Sequence, residues 1–216
     1  PDDEWWARWD NTKPGIDRAG AASGRWAPSE ARTRFTVPGD DLVVLTLARF
    51  DPDLVDRLGA PAEVTTVWTF GADGGIGLEL SWDDKAANRL PEAIWCSFVP
   101  AVAEPDRWML HKLGRAVSPL DVVGHGGRAL HAVDLDGGCT YDGPDGPLVL
   151  ETPDAPLVAP GAPRLLNADP PLPDLAGGLH VLLYDNCWGT NFPMWNEGPA
   201  RFRFRLRPGA RTSESG

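Results

Sequence analysis

EVTTVWTFGADGGIGLELSW, residues 63–82, decides the fold class. Glu63 to Phe70 is β-branched and aromatic, which suits a pleated, half-buried surface and not a helix. Asp73-Gly74-Gly75 is turn chemistry, because these residues tolerate positive φ and fold back on their own backbone. Beyond it Ile76, Leu78, Leu80 and Trp82 alternate with Gly77, Glu79 and Ser81. A period of two places one set in a core and the other in water. The stretch therefore predicts an antiparallel hairpin with one buried face.

The same pattern extends outward. Leu42 to Leu47 is a buried-strand run, and further strands are expected at Ala93–Val99, Arg107–Leu110, Leu130–Leu135, Leu148–Glu151, Leu179–Tyr184 and Phe202–Leu206. Leu179–Tyr184 is apolar on both faces and is expected to be covered on both. Asp136-Gly137-Gly138 and Asp142 to Gly146 are turns. Residues 153–174, with seven prolines, form a long surface connection containing a short extended piece at Pro156–Val158. One helix signature stands out: Asp51 as N-cap, Pro52 in the first turn, Leu54, Val55 and Leu58 on one side, Gly59 as the stop.

Composition agrees. The chain has 216 residues, with 24 glycines and 22 prolines, about a fifth of the total and far above ordinary usage. A helical bundle is excluded. Disorder is excluded too, since 42% of residues are hydrophobic and ten are Trp. The expected fold is all-β, a large antiparallel sandwich with at most one or two short helices. Residues 1–34, which hold Trp5, Trp6, Trp9 and Trp26 without a clear period, read as an arm packed on the body or on a neighbour. Residues 35–210 read as the sandwich and 211–216 as a tail.

The net charge of −11 disfavours nucleic acid and anionic membranes as partners. No apolar run approaches the roughly 20 residues of a membrane helix. Cys96, Cys139 and Cys187 are sparse and odd in number, which with no visible signal peptide fits a reducing compartment, the cytoplasm. No zinc-type spacing is present, and no metal or cofactor is expected in this chain. Arg201, Arg203, Arg205 and Arg207 alternate with apolar residues and read either as an anion-binding ribbon or as the wet face of a half-buried strand.

Chemistry-bearing residues are few. His111, His125, His131 and His180 join no motif, and Gly124-His125-Gly126-Gly127 resembles an oxyanion loop in composition only. There is no nucleophile elbow, phosphate loop or zinc-protease helix. Glu92, in LPEAIW, is either a desolvated acid beside an aromatic or a surface residue before a strand. The segment Tyr184 to Trp195 is the richest: Asn186, Trp188, Thr190, Asn191 and Trp195 combine aromatic faces with amides and a hydroxyl, the mix a sugar site needs. It also fits a corner that caps the sandwich. The candidate substrate-binding set is Asn186, Trp188, Thr190, Asn191, Trp195 and Glu92, with no catalytic or metal residue assigned.

RLPEAIWCSF (89–98), WMLHKLGRAVSPLDVV (108–123), DAPLVAPGAPRLL (154–166) and NCWGTNFPMW (186–195) followed by RFRFRL (201–206) resemble the C-terminal region of a bacterial and fungal group of glycosidase-like proteins. The N-terminal part of that group is similar to the catalytic barrel of family 38 glycoside hydrolases, the α-mannosidases. The resemblance implies a mutarotase-like supersandwich or part of one. It places the catalytic Asp and zinc ligands in a barrel outside these residues, so no position here inherits those roles. The expected function is a C-terminal module supporting that barrel, lining the carbohydrate cleft and not catalytic alone. An autonomous carbohydrate-binding module and a free-standing mutarotase-like sugar enzyme are the alternatives. The expected partners are the barrel, carbohydrate and, through an exposed seam, a second copy.

Overall fold

A computed structural model describes residues 23–88, 90–122, 128–165, 170–186 and 196–208. Its strands are β1 (Glu30–Thr36), β2 (Leu42–Arg49), β3 (Glu63–Phe70), β4 (Ile76–Trp82), β5 (Ala93–Phe98), β6 (Trp108–Lys112), β7 (Arg115–Val117), β8 (His131–Ala132), β9 (Cys139–Gly143), β10 (Gly146–Glu151), β11 (Leu157–Pro160), β12 (Leu179–Asp185) and β13 (Ala200–Pro208). All described pairings are antiparallel. They form a nine-stranded sheet, β1-β2-β3-β4-β13-β10-β9-β6-β7, and a four-stranded sheet, β5-β12-β11-β8. The one α-helix among the described residues, α1 (Pro52–Leu58), begins where the Asp51 carboxylate accepts from the Asp53 amide and ends at Gly59 with φ 71°. The chain is thus an all-β sandwich, and the described strands close no barrel.

The hairpin read from residues 63–82 is β3–β4, with Trp68 opposite Leu78 and Phe70 opposite Ile76. Leu78 then lies opposite Phe204 of β13, and both are buried. The core fills the space between the sheets: Leu78, Trp108, Leu110, Tyr141, Leu150 and Phe204 from the large sheet meet Val158, Leu179 and Val181 from the small one. Phe98 and Phe204 bridge the layers at a centroid distance of 5.2 Å, and Trp108 lies 5.5 Å from Tyr141. Full burial of such rings contributes roughly 2–3 kcal/mol each. In β12, Leu179 through Leu182 are all buried, so this strand is covered on both faces as expected.

Local reading misplaced several elements. Arg107 belongs to a 3-10 turn, and the strand starts at Trp108. Of the expected strand at Leu130–Leu135, only His131 and Ala132 pair; Leu135 lies in a turn. β1 runs across the boundary placed between residues 34 and 35, pairing Arg34 with Leu45 and Phe35 with Val44. β7 and β9 carry too few apolar residues to announce themselves; their register with β6 defines them.

The large sheet is wider than the small one, and burial falls off along its inner face. Phe35, Val44, Trp68, Leu78 and Phe204 lie opposite one another in succession, so their side chains share one face. Phe204 is 2% and Leu78 5% exposed, whereas Phe35 at the far end is 77% exposed. Leu42 and Phe70, paired on the same face, are also exposed. The inner face of β1–β3 therefore overhangs the core without cover among the described residues.

Candidate functional site

Two of the residues singled out from the sequence, Glu92 and Asn186, meet where the ends of β4, β5, β12 and β13 converge. Asn186 is buried, immediately after β12. Its Nδ2 donates to the carbonyls of Asn88 (2.8 Å) and Leu90 (2.9 Å), and its Oδ1 accepts from the Glu92 amide (2.7 Å). Its own amide donates to the Glu92 carbonyl at 3.2 Å. Asn186 thus spends its amide inside the protein, fastening Asn88, Leu90 and Glu92 ahead of β5. Trp188, Thr190, Asn191 and Trp195 lie outside the described residues, as do His125 and Cys187.

The Glu92 carboxylate meets Lys85. Lys85 Nζ lies 2.5 Å from Glu92 Oε1 and 4.4 Å from the centroid of the Tyr184 ring, with only 2% of its side chain exposed. Desolvating an ammonium is expensive, and a close carboxylate together with an aromatic face offsets that cost. The Lys85 carbonyl in turn accepts from the Gly198 amide, fastening the approach to β13. This cluster holds strand ends together.

The opposite, outer face of the large sheet carries a groove of about 450 Å³. Val67 and Thr69 of β3, Gly77 and Glu79 of β4, and Arg203 and Arg205 of β13 form its floor, with Leu135, Asp136 and Pro153 rising at one side. Gly77 opens the floor: opposite Thr69 it presents no side chain, and a Cβ there would sit 3.7 Å from the Thr69 Cβ. The arginine ladder lies on this face and is met by acids. Arg203 donates three hydrogen bonds to the Asp154 carboxylate, two from its guanidinium at 2.8 and 2.9 Å and one from its backbone amide at 2.8 Å. Arg207 bonds Glu151 at 2.6 Å, and Arg201 and Arg205 lie 3.7 and 3.9 Å from Glu79 and Glu151. The hydrogen bond from Arg203 holds the Asp154 carboxyl below its usual range. Each arginine of the ladder thus has a carboxylate within 4 Å, Glu151 serving both Arg205 and Arg207, which fits the wet face of a half-buried strand. What the groove offers is a set of donors and acceptors of both charges, Arg203 and Arg205 with Glu79, Asp136 and Glu151, around the open space at Gly77.

The described histidines are held by the fold. His111 Nε2 pairs with Thr140 Oγ1 at 3.0 Å. His131 is buried, with Nδ1 3.3 Å from Lys112 Nζ and Nε2 3.3 Å from the Arg128 carbonyl. Burial first, then the Lys112 charge, pushes its pKa down to about 4. The Cys96 and Cys139 thiols are unpaired, and burial raises both to about 12, which makes them unreactive. Among the described residues no group of three or more potential ligands could hold a metal ion, and no helix is long and apolar enough to cross a membrane.

Sequence reasoning missed Lys85, since nothing in WDDKAANRL marks a buried lysine. It missed the groove because its walls come from four distant stretches that only the sheet register brings together. No family model, curated protein or solved structure matches the chain.

Proposed function

We propose that this chain is a β-sandwich module of a larger, glycoside-hydrolase-like protein, seated against a catalytic domain and not hydrolysing glycosides by itself. The observation that carries the reading is the burial gradient from Phe204 to Phe35 along one row of the large sheet. A sheet face that starts as core and ends in the open has the character of an interface missing its other half. Phe35, Leu42 and Phe70, with Val37 and Val99 beside them, give it an apolar surface rimmed by the turns of β1–β2 and β3–β4. The resemblance of residues 89–98, 108–123, 154–166 and 186–206 to glycosidase-like proteins supplies the kind of partner: a catalytic barrel of the α-mannosidase kind. The unpaired Cys96 and Cys139 thiols are compatible with a cytoplasmic setting.

A second reading, an autonomous carbohydrate-binding module, is favoured by the groove over Gly77. Neutral polyhydroxylated ligands need donors and acceptors together, and the paired arginines and carboxylates provide both in fixed positions.

One set of measurements separates the two. The support reading expects the purified chain to self-associate in sedimentation and to show no glycan binding by calorimetry. It expects Phe35→Ser with Phe70→Ser to yield a monomer of nearly unchanged melting temperature. Saturable glycan binding that disappears on Gly77→Val, with a monomeric parent chain, decides for the second. Turnover of aryl α-mannosides by the pure chain overturns both.

A further inference from the structure

Of the strands that end the two sheets, β1, β7 and β8 are guarded and β5 is not. β1 carries the exposed Arg32 and Arg34, β7 is three residues long and begins with Arg115, and β8 pairs over two residues. Charge and shortness are the usual protections of a sheet edge against a further strand. β5 has neither. Ala93–Phe98 is six residues, AIWCSF, without a charge or a proline. Among the described residues it pairs with β12 alone. Every second residue of such a strand turns its amide and carbonyl away from its one partner.

The free edge points at the overhang. Phe98 of β5 packs on Phe204 of β13, and at the other end of the small sheet His131 of β8 meets Lys112 of β6. The small sheet thus covers the large one from β13 to β6, and the next strand position beyond β5 lies over β4 and β3. There an apolar slot of about 220 Å³ opens beside Phe98, floored by Trp68, Ile76, Leu78 and Leu206. The face beyond the slot is uncharged. One row runs Phe35, Val44, Trp68 and the next Thr33, Thr46, Thr66, and no inward-facing residue of β2 or β3 carries a charge.

We propose that β5 is a strand-acceptor edge: an extended, uncharged segment of the catalytic domain, apolar at alternate residues, pairs with β5 and lays its apolar side chains in the slot. The inference rests on the function proposed above and adds how the seat is held. Main-chain hydrogen bonds to β5 supply affinity, and the slot selects the side chains. A charged strand is rejected, because its charge would be desolvated against a face with no partner for it. A second copy does not fit. The two-fold axis that pairs two β5 edges antiparallel stands perpendicular to the small sheets, so both large sheets lie on one side. Each would then drive its β1–β3 overhang into the layer that the other already fills.

The test uses the full chain, kept below the concentration at which it self-associates, and a fluorescein-labelled peptide of alternating valine and threonine with a lysine at each end. Anisotropy should saturate with added chain. Binding should weaken at least about 10-fold when the peptide is N-methylated at every residue, the equivalent of one or two lost hydrogen bonds. Lysine in place of each valine should weaken it by at least as much. Hydrogen exchange read by NMR should slow in β5 by at least about 10-fold on peptide addition and stay unchanged in β1. Absence of saturable binding, equal binding of the N-methylated peptide, or β5 amides all as slow as those of β12 in the free chain would overturn the proposal. Where Phe35→Ser with Phe70→Ser still abolishes self-association, those results leave the apolar seat standing without strand addition. A chain that stays monomeric at every concentration and takes the peptide shows the reverse: the acceptor edge stands and the seat falls.

Discussion

Replacing Asn186 with alanine tests whether the residue is a clamp or a ligand-binding side chain. The side chain is 3% exposed and makes three hydrogen bonds at 2.7–2.9 Å, two donated and one accepted. Alanine leaves the Asn88 and Leu90 carbonyls and the Glu92 amide facing a void. A net loss of about 1 kcal/mol per bond, and more for each partner that stays dry, gives roughly 3–5 kcal/mol. In a domain of this size each kcal/mol lowers Tm by roughly 2–4 °C, so a fall on the order of 10 °C is expected. Asn186→Asp should be no better, because an ionised side chain cannot donate to the two carbonyls. Urea titration is the assay: the midpoint should drop while the slope stays constant, showing that stability and not compactness has changed. If Asn186→Ala loses less than about 1 kcal/mol yet weakens glycan binding, the clamp argument is refuted and the side chain belongs to a ligand.

Two further outcomes follow from the core. His131 carries a folded-state pKa of about 4 against an ordinary value near 6.5, so the unfolded chain binds its proton first. Its contribution to stability should be complete above pH 6.5 and lost as pH falls toward 4, and His131→Phe should flatten stability-against-pH curves in that window. Gly138 has φ 51°, and a Cβ there would lie 2.0 Å from the Leu150 carbonyl oxygen. Gly138→Ala should therefore unfold the β9–β10 ladder or the whole domain by thermal melt, whereas Gly114→Ala, in open space, should lose only about 1 kcal/mol.

How far the fold was legible depended on how locally each strand declares itself. β4 and β13 alternate cleanly because one face is core and the other wet, β3 declares itself by its β-branched and aromatic residues, and α1 carries its own cap and stop. β9 shows the opposite case. Cys139 and Tyr141 are buried, yet only these two residues report the pattern, and flanking turn residues drown it. β1 failed for another reason: its inner residue Phe35 is exposed, so the segment has no core-facing stripe to read. Its strand identity comes wholly from pairing with β2, a non-local fact.

The site was legible to a lesser degree, and the reason is physical. Asn186 and Glu92 were picked out for chemistry and lie together, but the signal that drew attention to them was amide and carboxylate content beside aromatics. That content is shared by ligand sites and by buried polar clamps, since both must satisfy donors and acceptors away from bulk water. Only geometry separates them: a clamp closes its bonds on backbone, as Asn186 does, and a site leaves them open. The Ser97–His180 pair shows the converse. The two are 83 positions apart, and each looks ordinary in its own strand; the 2.8 Å contact exists because the β5–β12 register sets one against the other. A one-residue slip of either strand against the other would put the two side chains on opposite faces and dissolve the pair, so the contact is encoded in strand register and not in a motif.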